Sequence, residues 1–150
     1  MFNQVLIIMY QRDLNKLKNE LNAYIHESNI WEVRDGISNS AGNLALHLIG
    51  NLKHFIGATL GNSGYVRDRD KEFSLKNVPL QDLIRAIDET SSVIEQTLSR
   101  LSEEDLNMPF PIKVPVQQND DSTRFMVMHL TAHLNYHLGQ INYHRRLIDK

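Results

Sequence analysis

Apolar residues recur along this chain at helical spacing and hardly anywhere at strand spacing. Leu14, Leu17, Leu21 and Ile25 fall three or four apart, which predicts a first helix over about residues 3–26. Asn39 and Ser40 are good capping residues. After them Leu44, Leu48, Leu52 and Ile56 predict a second helix to about residue 60, ended by Gly61 and Gly64. A third runs over about residues 79–101 on Leu83, Ile87, Ile94, Leu98 and Leu101, with Pro79 suited to its first turn. A fourth starts near Ser122 and runs to about Ile148. Residues 113–117 are the best strand candidate, but Pro109, Pro111 and Pro115 favour an irregular loop.

Four long helices without strands predict an all-α fold: a four-helix bundle, antiparallel as first choice, forming one domain over residues 1–150. Two inter-helix loops are long, residues 61–78 and 102–121. Bundle connections typically run about 2–8 residues, and longer ones are often functional. At about 1.5 Å per residue the second helix is about 27 Å long, and the first loop can run back along it. Helices two and three therefore need not be antiparallel.

Composition narrows the function classes. A hydrophobic share of 41% and a net charge of −2 suit an ordinary soluble domain. No block of like charge suggests a nucleic-acid or membrane surface. The absence of cysteine excludes a disulfide framework, a thiolate zinc site and a cysteine nucleophile. A reducing cytoplasm is the simplest setting. The run Val5-Leu6-Ile7-Ile8-Met9 is too short to span a bilayer and lacks the flanks of a signal peptide, so it reads as helix.

The candidate chemistry lies in histidines. His129, His133 and His137 are four apart on the fourth helix, so they stack on one face with Cβ atoms roughly 5–6 Å apart. Two imidazoles stacked this way can share a metal ion. A helical wheel puts the stripe in the middle of the apolar face, with Tyr136, Tyr143, Phe125 and Ala132 on one flank and Leu130, Leu134 and Ile141 on the other. Asn135, Asn142, Thr131, Arg145 and Arg146 fall opposite, facing solvent. Buried imidazoles need partners, either a metal or other polar groups. Spacing alone does not say which two of the three chelate, and His144 is an outer or structural candidate.

His47 sits where an apolar face meets a small-residue face carrying Gly50 and Gly57, positions that permit close approach of another helix. It can look into a cleft or out into water. His54 lies seven residues, roughly 10 Å, further on, so only one of the two can reach a given ion.

Three segments together resemble the DinB-like superfamily of bacterial four-helix-bundle metalloenzymes. They are Asn39 to Leu52 around His47, Tyr65 to Phe73, and His133-Leu-Asn-Tyr-His137-Leu-Gly-Gln140, which is similar to that family's His-x-x-x-His-x-Gly-Gln. The resemblance implies that His47, His133 and His137 bind a divalent ion, Zn2+ first and Ni2+ or another divalent ion otherwise. It leaves His129 and His54 outside the first set of ligands, and it implies a homodimer.

Three histidines leave a coordination position open, the pattern of catalytic zinc sites. The resemblance implies a thiol-dependent S-transferase acting on small molecules with a low-molecular-weight thiol cosubstrate, the metal activating the thiol. The alternatives are a metal-dependent hydrolase and a non-catalytic, dimeric metal- or ligand-binding bundle. Candidate substrate-binding residues are Asn43 and Asn51, one turn either side of His47, with Tyr136 and Gln140 on the last helix. Arg67 and Arg69 are guanidinium candidates to clamp a carboxylate. No general base stands near the motif in sequence; an Asp or Glu from another helix would have to supply one.

Overall fold

Local chemistry marks where the helices of this chain begin. In the computed structural model, which describes residues 1–150, the Ser40 hydroxyl accepts the Asn43 backbone N–H at the start of α2 (Ala41–Leu52). Ser122 does the same for Phe125 at the start of α6 (Thr123–Ile148). Each satisfies an amide that the first helical turn leaves without a partner. α1 (Phe2–Asn22) and α4 (Leu80–Leu98) supply the other long elements, Pro79 standing just ahead of α4.

Both long connections contain a short helix that the hydrophobic pattern did not predict. α3 (Arg69–Ser74) is capped by Asp68, and α5 (Glu103–Asn107) opens on a reciprocal capping box between Ser102 and Asp105. The first helix stops earlier than expected, at Asn22. A 3-10 segment, Glu27–Trp31, follows and buries Ile30 and Trp31. The second helix reaches Leu60 as expected, but Lys53–Leu60 is π-helical: the Gly61 N–H bonds back to the Ile56 carbonyl, five residues away. The fold is all-α, and an isolated bridge between Pro109 and Ser122 is its only β-type pairing. No helix is long and apolar enough to cross a membrane.

Side-chain pairs give the helix directions. The Asn3 amide donates to the Leu98 and Leu101 carbonyls, and Lys18 pairs with Asp88, so α1 and α4 are antiparallel. The Tyr10 hydroxyl donates to the Val127 carbonyl at 2.6 Å, and Asn142 and Arg145 both donate to Glu20, so α1 and α6 are parallel. Along α4 and the π-helical continuation of α2, Lys53 meets Glu89 and Gly57 meets Val93, which makes the second helix and α4 parallel too. A Cβ on Gly57 would lie 2.8 Å from the Val93 side chain, so glycine is what lets this crossing close. The antiparallel first choice gives way to a mixed arrangement, and the parallel course left open for helices two and three is the one found, because residues 61–79 carry the chain back along α2 before α4 begins. The core is continuous, with Leu6, Leu14, Leu48, Ile87, Ile94 and Leu134 among its fully buried members. Each such side chain contributes about 1.5–3 kcal/mol of transfer free energy.

Candidate metal centre

α2 and α6 run antiparallel and bring His47 opposite His133 and His137. His47 is 8% exposed and the other two are half-buried. The Nε2 atom of His133 lies 3.3 Å from Nε2 of His47 and 3.2 Å from Nε2 of His137. Ligand atoms of all three lie within 4.8 Å of one another, a set that can hold a metal ion.

The far side of two rings decides where their lone pairs point. The Nδ1–H of His47 donates to Oε1 of Glu72 at 2.9 Å. The Nδ1–H of His137 donates to Oε1 of Gln140 at 2.7 Å. With Nδ1 protonated, Nε2 of each ring carries a lone pair aimed at the cluster. Metal-bound histidines are oriented in this way by a carboxylate or amide behind them. His133 differs: its Nδ1 is buried and has no hydrogen-bond partner.

Burial also favours the neutral form of His47 and His133. Desolvation lowers the His47 pKa, partly opposed by Glu72. His133 is pushed down to about 4, first by desolvation and then by the neighbouring His137 and His47. Near neutral pH these nitrogens are free to donate to a cation.

The donor set fits an ion. Three imidazole nitrogens suit zinc, nickel or copper, and zinc bonds of about 2.0–2.1 Å in a tetrahedron separate neighbouring nitrogens by about 3.3 Å. The two separations at His133, 3.2 and 3.3 Å, match that edge. Without a cation or a shared proton, a lone pair on Nε2 of His133 would face those of His47 and His137 at that distance.

The other predicted residues scatter. Asn43 is fully engaged: its amide donates to the Glu72 and Leu75 carbonyls, and its oxygen accepts from Ser40 and Lys76. It ties α3 to α2 and does not face a ligand. Asn51 is buried with its Oδ1 unpaired. Tyr136 is 66% exposed, its ring edge-on to His137. Arg67 is bound to Glu72 through Nε and Nη2 at 2.7 and 2.8 Å, so it is not a free clamp. Arg69 lies over the Phe73 ring. His129 stacks between Phe125 and His133, and His54 packs on Phe55. His144 is locked elsewhere: Nε2–H donates to the Glu32 carbonyl, and Nδ1 accepts the Tyr24 hydroxyl.

One sequence expectation needs correction. The stripe is not the middle of the buried face of α6. That face runs through Val127, Leu130, Leu134 and Ile141 and includes Thr131, which the wheel put in solvent. Core packing rotated α6 so that the histidines occupy the edge of the buried face, between core and solvent, where they stay reachable. A carboxylate from another helix does reach the cluster, as expected: Glu72 of α3, 5% exposed, touches His47, but Arg67 and His47 occupy its oxygens, so it is no free base. Within the run Arg67 to Glu72 it reads as one solvated charge among several, and only its presence in the Tyr65–Phe73 segment hinted at it.

Beside the cluster lies a cleft of about 270 Å³ lined by Ser38, Asn39, Leu44, Gln140, Tyr143 and Leu147 among others. None of the three histidines lines it; Gln140 is the link, since it bonds His137. No Asp, Glu, Lys or Arg lines it either. No curated protein matches the chain. Residues 5–150 match the family described as "Protein of unknown function (DUF1572)", and the chain belongs to that family.

Proposed function

We propose that this protein is a divalent-metal-dependent enzyme of the DinB-like superfamily, a four-helix bundle in which His47, His133 and His137 hold the ion, Zn2+ in first place. The observation that carries the reading is the convergence of three Nε2 atoms, two of them aimed by partners on Nδ1. When bound, the ion supplies a Lewis acid with an open position that lowers the pKa of a thiol or water. Glu72 and Gln140 hold their imidazoles in register, and the neutral cleft takes the uncharged body of a small substrate.

Thiol-dependent S-transfer fits better than hydrolysis. Hydrolysis by activated water profits from a free base beside it. The carboxylate that touches this cluster, Glu72, has both oxygens engaged by Arg67 and His47. A thiol cosubstrate brings its own nucleophile, which suits a chain without cysteine. The same reading makes the protein a cytoplasmic homodimer, with the exposed Met128, Tyr136, Tyr143 and Leu147 of α6 as the apolar residues available for association.

Metal content of protein purified without a histidine tag tests the site. About one equivalent of zinc is expected for the wild type and less than about 0.2 for His133→Ala. Equal, low contents in both would overturn it. Incubation with cellular thiols and small electrophiles tests the chemistry: metal-dependent conjugate formation supports S-transfer, and metal-dependent cleavage without thiol overturns it in favour of hydrolysis.

A further inference from the structure

We propose that Arg67 and Glu72 form a positioning relay that holds His47 in one tautomer, seated on α2 by the bare backbone of Gly50. This rests on the metal-site reading for its purpose, but the relay itself is a property of the metal-free chain. Glu72 and Arg67 both have largely buried side chains, and burying a carboxylate is costly unless it is paired and hydrogen-bonded. Here the pairing is bidentate: Nε donates to Oε2 and Nη2 to Oε1. Oε1 then accepts a second hydrogen bond, from the Nδ1–H of His47, at 2.9 Å.

The opposite tautomer would place a lone pair on Nδ1, facing a carboxylate oxygen at 2.9 Å. Its compensation would be the second N–H of Arg67 Nη2, 3.3 Å away, whose first N–H goes to Oε1. The shorter, charge-assisted contact wins, so Nδ1 keeps its proton and Nε2 faces His133. Arg67 has a second effect. Its two-point grip fixes the plane and position of the Glu72 carboxylate, so Oε1 stays in line with Nδ1 of His47. With both oxygens occupied, Glu72 is a positioning residue and not a catalytic one.

Gly50 is the seat. It lies three residues beyond His47 on α2, and a Cβ there would fall 2.1 Å from Oε2 and 2.7 Å from Cδ of Glu72. No side chain fits while the carboxylate stays in place. The backbone of Glu72 is pinned independently, by the Asn43 amide donating to its carbonyl at 2.9 Å.

Gly50→Ala is therefore an informative variant. It keeps every charge and improves helix propensity, yet it must displace Glu72. Long-range 1H–15N NMR of the metal-free protein reads the His47 tautomer directly. The wild type should show a single Nδ1–H tautomer, and Gly50→Ala the averaged shifts of a mixture. Cobalt affinity should fall about 10–100-fold in Gly50→Ala and in Glu72→Gln, as for other supports behind metal ligands. If Glu72→Gln does not fold, Gly50→Ala decides alone. A mixture in the wild type, or a tautomer and affinity unchanged in Gly50→Ala, overturns the relay. Failure of the metal reading looks different: wild type and His133→Ala would bind cobalt equally weakly, while the tautomer measurement would still stand or fall by itself.

Discussion

An imidazole is defined by what each nitrogen touches, and this chain shows two outcomes on the same helix. His144 is saturated. Its Nε2–H serves a carbonyl and its Nδ1 a hydroxyl, so no valence is left for a ligand. His133 is the reverse, with a buried Nδ1 lacking any partner and an Nε2 shared between two other rings. Tyr24→Phe should therefore strand Nδ1 of His144 and cost about 1–3 kcal/mol, measured as a lower urea midpoint with metal content unchanged. The depressed His133 pKa has a stability consequence of definite sign. The unfolded chain takes up a proton near 6.5 and the folded chain not until about 4, so the unfolded state binds more protons between these values. Stability of the metal-free protein should be constant with respect to this group above about pH 6.5 and fall as pH drops towards 4. Urea midpoints at several pH values check this. A His133→Gln variant should show a shallower decline, and an equally steep one would place the effect elsewhere.

At the scale of elements, the site depends on how α2 is begun and what it is allowed to approach. Ser40 is buried, and its hydroxyl accepts the Asn43 amide hydrogen while donating to the Asn43 side chain. Asn43 in turn holds α3, which carries Glu72. Ser40→Ala should thus cost about 0.5–2 kcal/mol as a lost cap, and it should also weaken metal binding, since loosening Asn43 loosens Glu72. Isothermal titration with zinc alongside thermal melts would separate the two effects. The π-helical stretch beyond Leu52 brings Gly57 against α4. Gly57→Val should force Val93 aside at about 1–3 kcal/mol, seen as a lower melting temperature. A cost near zero would mean that α4 moves away freely.

Across the whole molecule, the long helices were legible because buried faces repeat every three to four residues, and Leu83, Ile87, Ile94 and Leu98 mark α4 with little ambiguity. The short helices were not, since α3 and α5 are held by capping bonds and docking and carry no full apolar period. α5 still had a readable signature, Ser102 three residues before Asp105. The proposed association has its own check. Sedimentation of the wild type should give a dimer, and Tyr136→Glu with Tyr143→Glu a monomer; a monomeric wild type would remove the dimer from the proposal.

Spacing by itself determined that His133 and His137 share a side of α6, because a helix repeats about every 3.6 residues whatever surrounds it. Composition determined that no cysteine thiolate of this chain belongs to the site. Tertiary structure decided the rest. It turned α6 so that the stripe lies at the edge of the core, brought His47 across from α2, and set Glu72 behind it from a segment that reads as solvent-exposed charge. The rotation of a helix follows from the best packing of its whole face, and the hydrogen bond from Glu72 on α3 to His47 on α2 follows from a close approach that a single glycine permits. Neither is a property of local sequence.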